Sequence, residues 1–269
     1  MGDKSKISWL MGGATWNPMT GCSKISAGCR YCYAEKMSRR LQAMKSPKYK
    51  NGFAVTCHDD DEKLMSQPLR WKRPRMVFVC SMGDLFHDDV PISFIDKVYD
   101  VMEKAPQHTF QVLTKRVQNM AEYVMHRGVD NIPGNVWHGV TVESNALGYR
   151  ARILSQLMIP NKFISYEPLI GDPLIGDPAY AFSQRAMDYL GSIDSIIIGG
   201  ESGPGARHLE ISWLTGLIDM AHKSSCRVFV KQLGTEWANS EGLRGKGDKP
   251  EQWPEVLRVQ EDIWWQGKS

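Results

Sequence analysis

MVFVCSMGDLFHDDVPISFIDKVYDVMEKAPQHTFQVLTKR, residues 76–116, contains two apolar runs separated by a helical pattern. Met76-Val77-Phe78-Val79-Cys80 reads as a buried strand that ends at Ser81-Met82-Gly83-Asp84. Pro91 opens a helix over Ile92–Lys104, with Ile92, Ile95, Val98, Tyr99 and Met102 on one face. Thr109-Phe110-Gln111-Val112-Leu113 is the next strand and ends at Thr114-Lys115-Arg116. A strand, a helix and a second strand in this order make parallel neighbours joined by a right-handed crossover.

The same alternation extends in both directions. Towards the N-terminus, a strand is expected near Ala14–Asn17. A helix follows over Ala34–Met44, with Met37, Leu41 and Met44 on its apolar side. Towards the C-terminus, Val117–His126 is helical, and Val136–Val142 is a strand ending at Glu143-Ser144. Asn145–Met158 is helical, with Leu147, Ala151, Leu154 and Leu157 on one side, and Lys162–Tyr166 is a strand ending at Glu167-Pro168. Beyond a less defined segment at Ser183–Leu190, Ile193–Ile198 is a strand ending at Gly199-Gly200-Glu201. Ser212–Ser224 is helical with a serine N-cap, and Arg227–Val230 is a strand ending at Lys231-Gln232. Several strands are continuous apolar runs, as in a sheet buried on both faces. The expectation is an α/β fold, a parallel (β/α) barrel that is partial, with six or seven strands; an open doubly wound sheet fits the same pattern. One domain spans residues 1–269, with an irregular insertion at about 46–74 and a C-terminal extension at about 234–269. Within the extension, Glu241–Trp253 reads as a loop and the final residues as a tail without defined structure.

A charged residue follows strand after strand: Asp84, Lys115, Glu143, Glu167, Glu201 and Lys231. Active sites of parallel β/α folds lie at that end of the sheet, so these six are the catalytic candidates. The plainer reading is that strand ends meet solvent, where charge costs little.

Composition narrows the class. Hydrophobic residues at 42% and charged residues at 23% are ordinary for a globular chain, and a formal net charge of +3 permits an anionic partner without demanding one. The N-terminus has no apolar signal region, and no run approaches the roughly 18 residues of a membrane span. The expectation is a cytoplasmic protein whose cysteines stay reduced, and therefore a metal-binding or catalytic use for clustered cysteines.

Three of the six cysteines, Cys22, Cys29 and Cys32, form a C-x6-C-x2-C loop. Thiolates suit iron–sulfur clusters and zinc. A structural zinc site needs four ligands, and the loop offers three. Three cysteines on a cubane cluster leave one iron open, where a ligand binds. Cys57 beside His58 is an accessory candidate, whereas Cys80 and Cys226, in or beside apolar strands, read as core residues.

The loop resembles the cluster loop of the radical S-adenosylmethionine (SAM) superfamily. It lies after a first strand and before a first helix, and it ends in Cys29-Arg30-Tyr31-Cys32 with an aromatic residue before the last cysteine. It departs from that family in the six residues between its first two cysteines, where three are usual. The chain also resembles a phage-associated family of uncharacterised function with a Gly-Cys-x6-Cys-x2-Cys-Tyr-Ala loop, over nearly its whole length. The resemblance implies a TIM-type barrel and a 4Fe-4S cluster on Cys22, Cys29 and Cys32, with SAM chelating the open iron. It implies that Tyr31 lies near the adenine and that Ser81, Gly83 and Asp84 stand where the family has Gly-Gly-Glu contacting the SAM amino group. Thr141 or Glu143 would meet the ribose or methionyl part, and Gly199-Gly200 would let backbone approach the adenine. One electron from the cluster cleaves SAM, and the resulting radical takes a hydrogen from the substrate.

Two further features bear on the partner. Basic residues between Lys36 and Lys50 and between Arg70 and Arg75, with Tyr49 and Trp71 among them, could track a phosphate backbone and stack a base. Gly199–His208 is a glycine-rich turn in which Arg207 and His208 could face an anion, and His87 lies just past a strand end. The function expected is a radical SAM-type enzyme acting on a nucleoside, nucleotide or nucleic acid, served by an electron donor. Its rivals are a zinc-stabilised nucleic-acid-binding protein without catalysis and a barrel hydrolase or lyase using the strand-end carboxylates. Nothing in the sequence sets an oligomeric state.

Overall fold

The structure is a computed structural model and describes residues 5, 7–10, 13–174 and 189–264. Its strands are β1 (Ala14–Trp16), β2 (Met19–Thr20), β3 (Thr56–Cys57), β4 (Met76–Val79), β5 (Thr109–Thr114), β6 (Val136–Thr141), β7 (Lys162–Tyr166), β8 (Ser195–Gly199) and β9 (Arg227–Gln232). Seven of them make one sheet in the order β1-β4-β5-β6-β7-β8-β9, and β2 pairs with β3 antiparallel. The strand order follows the chain order. A doubly wound sheet would instead reverse direction at a switch point. The fold is therefore α/β, a partial parallel (β/α) barrel.

The described helices are α1 (Tyr33–Ala43), α2 (Glu62–Met65), α3 (Ile92–Glu103), α4 (Val117–Arg127), α5 (Tyr149–Gln156), α6 (Ile211–Lys223) and α7 (Thr235–Ser240). The expected segment at Ser183–Leu190 falls largely outside the described residues. The chain divides into two compact units, Met1–Gly139 with Met158–Asn161, and Val140–Leu157 with Lys162–Ser269.

In the first unit, α3 buries Phe94, Ile95, Val98, Tyr99 and Met102, close to the face expected, while Ile92 at its first turn is exposed. Tyr99 stacks on Tyr123 of α4 at 4.8 Å, and its hydroxyl lies 2.9 Å from Nε2 of the buried His138 on β6. Burial pushes His138 down to about 4, so this ring is neutral at ordinary pH. The second unit is built on the isoleucines of β8, Ile196–Ile198, all fully buried, with Val228 and Val230 of β9 beside them.

Four expectations are corrected. On α1 the buried residues are Ala34 and Ser38, and Met37 and Met44 face solvent, because the helix packs through its small residues. Asn145–Met158 is not one helix: a 3-10 turn at Asn145–Leu147 precedes α5. Glu210, in extended conformation, precedes α6, so Ser212 lies inside the helix and is not its N-cap. The C-terminal tail, expected to lack defined structure, covers the edge of β9 with its described residues. The Val230 amide donates to the Val259 carbonyl at 2.8 Å, and the Glu261 amide to the Val228 carbonyl at 3.0 Å. Trp253, Leu257, Ile263 and Trp264 are buried, and Trp264 meets Phe163 of β7 edge-on at 5.2 Å. An uncovered edge strand is an aggregation hazard, and the tail backbone at Val259–Glu261 supplies the cover.

Candidate active site

The thiol loop leaves β2 through Gly21, whose φ of +91° and position 2.1 Å from the Ala54 carbonyl (for a Cβ placed there) admit only glycine. The Gly21 amide donates to the Met82 carbonyl at 2.9 Å, and Gly21 bridges Gly83 in parallel. A Cβ on Gly83 would lie 2.5 Å from the Met19 sulfur. The two glycines thus bring Cys22 against the turn that follows β4. Asn17, at the end of β1, ties the same turn down by accepting from the Met82 amide at 3.0 Å and the Ser81 hydroxyl at 3.1 Å. Ser81, Gly83 and Asp84 are therefore gathered beside the loop, and the Tyr33 hydroxyl donates to the Ser81 carbonyl.

Asp84 is buried and takes four donors. Oδ1 accepts from the Thr114 hydroxyl at 2.7 Å and the Phe86 amide at 3.1 Å; Oδ2 accepts from Arg116 at 3.2 Å and the Lys115 amide at 3.3 Å. These occupy the lone pairs a carboxylate offers. Arg116, just past β5, is the residue that sequence reasoning undervalued. Its Nη1 also donates to the Cys22 sulfur at 3.5 Å, its Nη2 to the Ser23 hydroxyl at 2.7 Å and the Ser23 carbonyl at 3.3 Å, and its Nε to Asp88 at 3.5 Å. His87 Nε2 lies 2.7 Å from the same Ser23 hydroxyl, and its Nδ1 accepts from the Asp89 amide at 3.1 Å. The neutral ring therefore carries its proton on Nε2 and donates it to Ser23.

The thiols differ in their surroundings. Burial pushes Cys22 up to about 11, with the Asp84 charge adding to the rise and Arg116 opposing it. Burial also raises Cys29, but backbone hydrogen bonds at Ile25 and Ser26, the Ser26 hydroxyl and the charge of Lys115 outweigh it, so Cys29 is lowered overall. Cys32 is the residue preceding α1, and all six cysteines are free. Two cations lie over the Tyr31 ring, Arg30 at 5.3 Å and Lys36 at 5.5 Å from its centre. Among the described residues, no group of three or more His, Cys, Asp or Glu, the three loop cysteines included, is arranged to hold a metal ion. In an iron–sulfur cubane each thiolate takes a different iron, and three soft thiols on one loop suit that donor set. Cys57 pairs across the two-stranded β2–β3 sheet with Met19, and its neighbour His58 meets the Thr20 hydroxyl at 2.9 Å.

In the second unit the remaining strand-end residues form ion pairs. Glu143, fully buried, accepts from Arg150 at 3.0 Å, and the same nitrogen donates to the Thr141 carbonyl at 2.9 Å. Glu167 pairs with Lys231. Glu201 is held in a two-pronged contact by Arg207, at 2.6 and 2.8 Å. The glycines expected at the adenine lie against the chain's own groups: a Cβ on Gly200 would lie 2.3 Å from the Leu233 carbonyl, and one on Gly199 3.4 Å from Glu167. Arg207 is thus committed to Glu201, and His208 stands between Glu210 and Glu236, which corrects their expected role facing an anion.

Of the residues expected to contact nucleic acid, Tyr49 is buried, and Trp71 meets His108 edge-on at 5.5 Å with Arg75 over its ring at 5.1 Å. Tyr49 is thus closed off, whereas Trp71 is half-buried. Lys48 turns inward and donates to the Asn17 carbonyl at 2.5 Å, and burial pushes it down to about 8. Lys36, Arg39, Arg40, Lys45 and Lys50 remain exposed. No described helix is long and apolar enough to cross a membrane.

Two solved structures of spore photoproduct lyase share this fold. A cysteine-to-serine mutant has a TM-score of 0.51 at 12% identity, over 85% of this chain and 78% of its own. A double mutant with bound AdoMet and dinucleoside spore photoproduct has a TM-score of 0.50 at 12% identity, over 86% of this chain and 78% of its own. No curated protein matches the sequence. The family model described as protein of unknown function (DUF5131) matches residues 4–261, and the chain belongs to that family.

Proposed function

We propose that this chain is a radical SAM-type enzyme acting on a nucleoside, nucleotide or nucleic acid. The observation that carries the reading is the thiol loop itself: three free cysteines on a glycine-fixed loop past β1, held against the end of β4, in a fold shared with an enzyme whose structure holds AdoMet. Cys22, Cys29 and Cys32 would hold a 4Fe-4S cluster, and the cluster with AdoMet would supply one-electron cleavage of the sulfonium bond. Asp84, with four donors already, acts as the anchor of Arg116 rather than as an acceptor for the cofactor. Arg116 in turn fixes the Cys22-Ser23 backbone and gives one thiolate a charged donor. The exposed face of α1, with Lys36, Arg39 and Arg40, would take the phosphates of the substrate.

Anaerobic reconstitution with iron and sulfide tests this directly. Visible absorbance and an EPR signal after reduction are expected, followed by 5′-deoxyadenosine when AdoMet and a reductant are added. Cys29→Ala should abolish both; Cys226→Ala, in the core of the second unit, should leave both intact. Stoichiometric zinc in place of a cluster would sink the reading.

A further inference from the structure

Gln111, the third residue of β5, is completely buried, and among the described residues neither its amide nitrogen nor its amide oxygen has a hydrogen-bond partner. Leaving a buried polar group unpaired costs stability. A methionine would fill the same length of space without that cost.

The strand register tells which way the side chain points. Thr15, Phe78 and Gln111 lie side by side on β1, β4 and β5. The Phe110 amide donates to the Asn135 carbonyl at 2.8 Å, which sets Gln111 beside Trp137 of β6. Residues in register share a face, and their chain neighbours take the other. Val112 and His138 are on the other face, which α3 covers through the Tyr99–His138 contact of 2.9 Å. Gln111 therefore faces away from α3, on the side of the sheet that is the inner side of a β/α barrel. On that side Phe78 and Trp137 flank it. Towards the C-terminal end of β5 the next side chain is the half-buried Leu113, and its neighbour on β6, Gly139, contributes none. Gln111 lies three residues, ~10 Å, below the end of β5.

We propose that Gln111 reads the edge of a nucleobase. A carboxamide presents a donor and an acceptor side by side, and so does the pairing edge of every base. Phe78 and Trp137 supply aromatic surface on either side, as base-binding sites do. This rests on the nucleotide reading above. The base belongs either to the substrate or to the adenosyl group of AdoMet, and the chemistry recognised is the same.

Two variants and five ligands separate the outcomes. Gln111→Met keeps the length and removes both polar atoms; Gln111→Glu replaces the amide by a carboxyl, which is costly to bury in its charged form. The measurements are the melting temperature of the ligand-free protein, and titration calorimetry of the reconstituted protein with AdoMet and with dithymidylate, diadenylate, dicytidylate and diguanylate. Gln111→Met should melt at or above the wild type and lose about tenfold or more in affinity for at least one ligand, with Gln111→Glu also weakened. A Gln111→Met protein that melts clearly lower would show that the amide is satisfied within the fold, and would overturn the proposal. Unchanged affinity for all five ligands would overturn it as well, as would a wild type that binds none of them. If the wild type binds AdoMet but no dinucleotide, and Gln111→Met weakens AdoMet, the role of Gln111 stands and the nucleic-acid substrate reading fails.

Discussion

Arg116 and Asp84 are the pair on which the thiol loop depends. Their side chains are 5% and 8% exposed and 3.2 Å apart, and Arg116 directs its other donors to Cys22, Ser23 and Asp88. Breaking a buried pair leaves an uncompensated charge, which typically costs ~3–5 kcal/mol. Arg116→Met should lose stability of that order in urea unfolding, and adding Asp84→Asn should recover part of it. A loss below about 1 kcal/mol would mean that water already screens the pair. Nothing in the local sequence distinguishes Arg116 from Lys115. Only the neighbouring turn after β4 determines that the arginine side chain finds the carboxylate, while Lys115 meets the same carboxylate through its backbone amide.

At the level of elements, α1 and the insertion both carry exposed basic residues, and they differ in what else they hold in the fold. The helix turns Ala34 and Ser38 inward and leaves Tyr33, Met37, Lys36, Arg39 and Arg40 outside. In the insertion, Asp61 caps α2 by accepting from the Leu64 amide at 2.9 Å, the Trp16 indole donates to the Leu64 carbonyl at 2.9 Å, and Trp71 packs on His108, while Arg70, Lys72 and Arg73 are exposed. Lys36→Glu and Arg40→Glu should each reduce the salt dependence of single-stranded oligonucleotide binding, by roughly 0.7 in log–log slope for each phosphate no longer neutralised. Trp71→Ala should lower the melting temperature and leave that slope unchanged. Charge reversal on α1 without any change in slope would exclude it as the phosphate-binding face.

For the whole molecule, the decisive facts are the strand order and the treatment of the sheet's last edge. β9 has β8 on one side and the tail residues 259–261 on the other, so its free backbone groups are used. Removing residues 250–269 should expose that edge together with the sites of Trp253 and Trp264. The expected result is concentration-dependent aggregation in light scattering, whereas a monomeric, soluble truncated chain would show that the cover is dispensable. Trp253→Ala alone should cost ~3–5 kcal/mol.

The alternation of apolar runs and helical segments determined by itself that this is a parallel α/β protein, because buried parallel strands must be continuously apolar and must be joined by crossovers. It also set where the polar strand ends fall, and the spacing of Cys22, Cys29 and Cys32 marked the loop. The tertiary structure alone decided that the sheet runs in barrel order, since periodicity carries no information about which strands are neighbours. It alone decided that Asp84, Glu143, Glu167 and Glu201 each face a cation, because those partners lie between 6 and 64 residues away in the chain. It decided too that Tyr49 is buried and Trp71 half-buried against His108, and that Gln111, one polar residue in an apolar strand, carries an amide that nothing in the described fold satisfies. Residue type sets what a side chain can bind; what it meets is set by register and packing, over distances that a local pattern does not span.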